Sequence, residues 1–426
     1  MIDPRTRRSN RRIVAAPQGE IESRYRRRFV LGAAAVALQF SGDAFAVSSH
    51  GDRSNHVALA DYGGVPEASR AELINAFHAA FDDLKTMGGG RLTIAPGVYN
   101  LGPFSGGVAI AVSDLRNVTV DGRGAQLTMR TITKSTPTFF QFRDPDNIAI
   151  EGLRFKDFGT DLNVNWKGAH CIVVQTTKPC YGFRTSDCVA ENVVAFLSAQ
   201  QESAHKYTFE GFDIHATVRN AYYGVNPNFN GANSRVNLTT HNVRRAFIGY
   251  GLRNWDVTVN ASADGVALGS NALIELAADN RGYVDSVNVN LTVSGNLKKY
   301  NGLVTFFHQS APNVAQFIRN VKAQVTLDNV TGAAEAVFFF PYWDPVKGKL
   351  ARSTINSWER IQLSAKVIGV YEGPLIVNSA RSSASTNAIF IESGLAGNQD
   401  MADLPAYFHV HGTLPLAPVR SSKPAS

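Results

Sequence analysis

Short runs of alternating apolar and polar residues dominate the chain from Asn117 onward. Residues 117–121 (NVTVD), 147–151 (NIAIE), 255–259 (WDVTV), 285–293 (DSVNVNLTV) and 321–327 (VKAQVTL) each send one face inward and one outward. A sandwich of so many strands needs a tight turn between partners, such as Asn-Gly or Asp-Gly. Those dipeptides occur at 121–122, 230–231, 264–265 and 301–302, too few to pair every strand. The long spacings suit strands that coil in parallel.

One stretch has a different period. Leu73, Phe77, Ala80, Phe81 and Leu84 form a stripe at helical spacing. Ser69 and Glu72 fit a capping box at its start, and Gly88, Gly89 and Gly90 supply the left-handed stop at its end. Leu92 and Ile94 then alternate with polar neighbours as a strand. The spacing predicts one helix over residues 69–84, ahead of a long series of strands. That order reads as a plug on the open end of a stack.

The run from DYGG (61–64) through the helix to GGGRLTIAPGVYNL (88–101) resembles the N-terminal segment of the pectate-lyase-like superfamily of right-handed parallel β-helices. The resemblance implies an all-β, right-handed parallel β-helix (a solenoid) with an N-terminal capping α-helix at about residues 57–107. It says little about reaction, because the superfamily is implied to include lyases, hydrolases, epimerases, tailspikes and noncatalytic adhesins, and a fold does not fix a function.

Ahead of the cap, Arg26, Arg27 and Arg28 followed by Phe29, Val30 and Leu31 resemble a twin-arginine export motif. An apolar run over 29–40 follows, and Ala44-Phe45-Ala46 fits small-x-small cleavage. The run is shorter than the roughly 20 residues a membrane span requires. Residues 1–46 are therefore expected to be an export leader, 47–413 a single β-helix domain, and 414–426, rich in Pro and Ser, a disordered tail. A solenoid of that length escapes division into domains because each repeat buries its face on the next. Export implies a periplasmic or extracellular protein.

Charge changes meaning once the leader is set apart. The whole chain carries +7, but residues 1–46 hold nine Arg, no Lys and four acids. The remainder has 33 basic and 31 acidic residues, a net +2. A nucleic-acid partner loses its support, and no membrane span is expected after leader removal. Cys171, Cys180 and Cys188 are odd in number, with no Cys-x-x-Cys and no zinc spacing. Buried or loop thiols are expected, with a Cys171–Cys180 or Cys180–Cys188 bridge as the alternative.

A repeat in the middle of the chain is the route to a site. Val218-Arg-Asn-Ala-Tyr-Tyr-Gly224 matches Val243-Arg-Arg-Ala-Phe-Ile-Gly249 at a spacing of 25, with 193–198 fitting upstream. Ala272-Leu-Ile-Glu275 follows 26 residues after Ala246, and 302–305 and 336–339 continue at 30 and 34. In that register Arg219 and Arg244 stack one coil apart, about 4.8 Å, with Arg245 beside them. Stacked like charges call for an anion, so these arginines are candidates for the carboxylates of an acidic polysaccharide. They read equally as solvated turn arginines. Glu275 falls in the column of Ser198, Gly224 and Gly249 as the acid on that face, and His308 follows the 302–305 strand. Tyr222, Tyr223, Phe247 and Phe306 are core fillers or sugar-stacking platforms. Phe247 and Phe306 read as core; of the adjacent Tyr222 and Tyr223, a regular strand turns one outward.

Two family motif sets are incomplete. Polygalacturonase-like β-helices carry Asn-Thr-Asp, Asp-Asp, Gly-His-Gly and Arg-x-Lys; here Ser262-Ala263-Asp264 and Asp279-Asn280 echo the first two, and the others are missing. No dense acidic run supplies the oxygen ligands of a calcium-dependent lyase, so no obligatory metal and no cofactor is expected. Metal-independent β-elimination at a uronate remains, with Tyr223, Glu275 and His308 as candidate acid–base groups and Arg219, Arg244 and Arg245 on the carboxylate. His205, Lys206 and Tyr207 form a second such group. The sequence favours an exported polysaccharide lyase, then a glycoside hydrolase, with a noncatalytic polysaccharide-binding or assembly protein as the alternative.

Overall fold

In a computed structural model the described residues are 55–411, except 132–136, 160–168, 202–207, 266–271, 279–282, 298–299, 301, 309–315, 332–336, 341–356, 370, 372–375, 379–388 and 395–407. The twin-arginine leader, the C-terminal tail, His205–Tyr207 and Asp279-Asn280 lie outside them. The described residues all belong to one unit, Arg53–Ser426. Among the described residues 21 strands join one sheet, and each pairing is parallel. The strands read from sequence stack as coils: Val118 lies beside Ile148, and Trp255 beside Val287, which lies beside Val321. Parallel crossovers wind right-handed because of strand twist, and the architecture is a right-handed parallel β-helix.

The expected helix spans Arg70–Thr86. Ser69 N–H donates to Glu72 Oε2 (2.7 Å) and Glu72 N–H to Ser69 Oγ (3.4 Å), closing the capping box. Gly88, at φ +79°, donates to Lys85 O and Gly89 to Leu84 O, the paired bonds of a Schellman stop. Leu73, Phe77, Ala80, Phe81 and Leu84 are buried. Phe77 and Phe81 meet Phe140 and Phe142 edge-on at 5.5 and 6.1 Å. From Phe142 an aromatic spine continues through Phe183 and Phe212 to Trp255, at ring separations of 5.7, 5.8 and 6.3 Å.

A single backbone device turns the coils. Asn117, Asn147, Gly182, Gly211, Asn233, Asn254, Ser286, Asn320 and Arg360 all have φ between +48° and +80°. Where strand pairing fixes the register, they occupy one column along the stack. Asparagine suits this position because its short polar side chain bonds locally and tolerates the left-handed region. Amides also bond from coil to coil, Asn147 to Asn117 at 2.9 Å and Asn254 to Asn233 at 2.8 Å. A second column holds Asp157, Asn192 and Asn220, and Asn242 repeats its conformation 22 residues later. Spacings along the first column run from 21 to 40 residues, a wider range than the sequence repeat implies.

Cys171, Cys180 and Cys188 are free and buried, so the alternative of a bridge among them is not what the structure holds. Burial pushes each thiol up, Cys180 and Cys188 to about 12.

Ser286 is the one serine in the corner column, between Asn254 and Asn320. Ser286→Asn is expected to raise stability by up to about 1 kcal/mol, and Ser286→Val to lower it by about 1–2 kcal/mol, since a β-branched side chain is poorly tolerated there. Urea denaturation midpoints of the two variants check the sign of each change.

Candidate functional site

Burial separates one face of the stack from the others. Strand Tyr283–Asn296 alternates between buried and exposed positions, as a sheet does with one face in water. Residues 193–199, 221–225, 246–249, 272–278 and 302–306 are buried throughout, on both faces. Inward, Val193, Leu197, Val225, Phe247, Ile274, Val304 and Phe306 join the main core. Phe247 and Phe306 are thus core, as their sequence suggests. Val194, Ala195, Tyr222, Tyr223 and Ile248 form a separate cluster, with Tyr250 packed against it. Tyr222 and Tyr223 both belong to this second cluster, their rings 4.5 Å apart.

The register differs from that of the sequence repeat. Val193 lies opposite Ala221, not Val218. The corner residues Asn220 and Asn242 are 22 apart, and Arg244 and Arg245 lie over the residues 22 before them. Arg219 therefore does not stack on Arg244. It lies before the corner, exposed, in register with Glu191. Glu275 pairs with Ile248 and Thr305, not Gly249. The expected spacings of 30 and 34 further along do hold, Glu275 to Thr305 and Thr305 to Phe339. His308 is in register with Ala278.

The residues brought together are Tyr222, Tyr223, Arg244, Arg245 and Glu275. The Arg244 guanidinium lies 4.5 Å from the centre of the Tyr222 ring, and that of Arg245 5.9 Å from Tyr223, within cation–π range. Arg245 Nη1 is 3.9 Å from Glu275 Oε2. Beneath them, the buried Tyr300 hydroxyl donates to Val243 O at 2.7 Å.

Burial sets the proton affinities. It pushes the Glu275 carboxyl above the usual carboxylate range, and Arg245 pulls partly against it. It also pushes the Tyr223 phenol well up, again opposed by Arg245. Tyr223 is thus protonated near neutral pH and fitted to donate a proton, so a role as base is disfavoured. A carboxylate whose proton affinity is raised is a stronger base than one in water.

Sequence reasoning missed a polar group on the same strands. His170 Nδ1 and Ser198 Oγ are 3.0 Å apart, and burial holds His170 down to about 4. Ser198 is in register with Asn226. Single polar residues inside nearly continuous apolar runs, such as VVAFLS and ALIELAA, were the available signal. Among the described residues no group of three His, Cys, Asp or Glu could hold a metal ion, and no helix is long and apolar enough to cross a membrane.

No family model matches the chain, and no curated protein does. Solved structures give matches at low identity. The A-module of mannuronan C-5 epimerase AlgE4 from Azotobacter vinelandii is 11% identical over 84% of this chain and 100% of that one, with a TM-score of 0.31. The catalytic unit of a GH87 α-1,3-glucanase from Streptomyces thermodiastaticus is 14% identical over 82% and 69%, with a TM-score of 0.33. The tailspike of E. coli bacteriophage HK620 is 12% identical over 79% and 80%, with a TM-score of 0.27. Likeness at this level names no activity for the present chain.

The raised affinity of Glu275 has a stability signature. The folded state holds this proton more tightly than the unfolded state. Its stabilising contribution is therefore full below the unfolded carboxylate value and is lost as pH rises through the folded one. Glu275→Gln is expected to gain stability relative to wild type as pH rises from acid toward neutral. Parallel denaturation at several pH values measures this, and a pH-independent difference would mean that the carboxyl titrates normally.

Proposed function

We propose that the chain is an exported carbohydrate-active protein that binds an acidic polysaccharide on the outward face of its central coils and cleaves it by β-elimination. The cluster of Tyr222, Tyr223, Arg244, Arg245 and Glu275 carries this reading. Guanidinium groups match carboxylate geometry, and the buried Tyr222 and Tyr223 rings support Arg244 and Arg245 by cation–π contact. The leader motif supports export.

In this reading Arg244 and Arg245 neutralise the uronate carboxylate, which acidifies the C5 proton. Glu275 accepts that proton; the side chain of His308, the other candidate, lies outside the described residues. The C5–H electron pair forms the C4–C5 double bond as the C4–O bond breaks. The Tyr223 phenol donates its proton to the departing oxygen. Burial raises the proton affinity of both groups, which makes the Glu275 carboxylate a stronger base and keeps the proton on the Tyr223 phenol until it is donated.

The test incubates the protein with a panel of uronate polymers and follows both unsaturated-uronate absorbance and reducing ends. Absorbance together with new ends is the expected result. Ends without absorbance replace elimination by hydrolysis, and binding with neither signal favours the noncatalytic alternative. Arg245→Ala is expected to weaken anionic-polymer binding at low salt at least tenfold, roughly the 1.5–3 kcal/mol of one charged hydrogen bond. Unchanged affinity would remove the arginines from the site.

A further inference from the structure

Two polar atoms on the outward face are buried without hydrogen-bond partners among the described residues: Asn226 Oδ1 and Thr305 Oγ1. Native proteins satisfy nearly all such atoms, so each exception calls for a physical account. Both flank Glu275. Thr305 is its register partner on the next coil. On the other side, Ile248 is its partner, and the 22-residue offset that sets Arg245 over Tyr223 places Asn226 beside Ile248. A Cβ on Gly224 would lie 2.3 Å from Ala246 O, which fits the same offset two residues earlier.

The row therefore reads Ser198, Asn226, Ile248, Glu275, Thr305 along the stack. Ser198, at one end, already has His170 as its partner. Asn226 and Thr305 are three coil steps apart, about 14 Å at about 4.8 Å per step. An amide oxygen and a hydroxyl without partners among the described residues suit a ligand that brings hydroxyl groups.

We propose that Asn226 and Thr305 bind free hydroxyls of the sugar units flanking the uronate held at Arg244 and Arg245, so that the protein selects polymers unsubstituted at those hydroxyls. The proposal rests on the glycan reading above. An acetyl ester at either hydroxyl removes the donor and adds bulk in a buried row, leaving the protein atom unsatisfied, which is how polar sites reject ligands.

The test compares a polyuronate that binds wild type with the same polymer after chemical O-acetylation, by calorimetry. Acetylation is expected to weaken wild-type binding at least tenfold. Thr305→Val and Asn226→Ala are expected to weaken binding of the unmodified polymer and to reduce the acetyl discrimination toward onefold, while Thr305→Ser retains both. Without ligand, Thr305→Val is expected to raise Tm, because it removes an unsatisfied buried hydroxyl. A lowered Tm would assign that hydroxyl to the fold and overturn the proposal. Variants that bind and discriminate like wild type, beside a weakened Arg245→Ala, overturn it and leave the glycan reading standing. Wild type that binds no uronate polymer removes both.

Discussion

The stack depends on a backbone turn made by single residues at positive φ. From Asn117 to Arg360 the same conformation recurs at one corner, whatever the number of residues between successive turns. A strand can stack on its predecessor only if it leaves the corner at the same place and in the same direction. The left-handed residue fixes both, and the asparagine amides tie neighbouring corners together at 2.8 and 2.9 Å. Coil length is then free to vary without disturbing the register of the strands. The second column does the same for the functional face: Asn192, Asn220 and Asn242 each precede a strand that carries part of the cluster.

That face follows a different rule from its neighbours. Elsewhere the strands alternate between buried and exposed positions, and outward polar side chains meet water. On the central coils the outward residues are buried, so the same side chains interact in a poorer dielectric. Desolvation raises the proton affinity of Glu275 and of Tyr223, and Arg245, close to both, opposes each shift. The perturbation is a product of the architecture. A strand buried on both faces gives acid–base groups their altered protonation.

What the sequence disclosed follows the same division. The helix at Arg70–Thr86 was legible because capping, stripe and glycine stop are local signals that agree. The alternating strands were legible because one face meets water. Register was not, since coils of unequal length leave no constant period. The apparent 25-residue repeat aligned Val218 with Val243, three positions from the observed offset, and so put Arg219 where Tyr222 stands. A slip of one residue likewise set Glu275 against Gly249 when its partner is Ile248. In a strand a slip of one exchanges the faces, so a small error in period gives a residue the wrong neighbours even where the residue itself belongs to the cluster. The corner asparagines were visible in the sequence throughout; used as the ruler, they give the spacing of 22 that the apolar pattern obscured.

The polar atoms of the central row show why this face is difficult to keep by packing alone. An unsatisfied buried group costs on the order of 1–3 kcal/mol, and a charge in the same setting costs more. In a small globular domain, a few such groups consume much of the 5–15 kcal/mol that separates folded from unfolded. A solenoid distributes the penalty differently, because its stability is close to a sum over coils and their interfaces. Here the aromatic spine from Phe81 to Trp255 and the capping helix lie on the N-terminal side of Glu275 and Thr305 along the stack. Apolar coils on that side can hold the stack together while central coils carry polar groups that packing would otherwise exclude. The parallel stack thus separates the residues that maintain the fold from those available to a ligand, and it does so along a single axis.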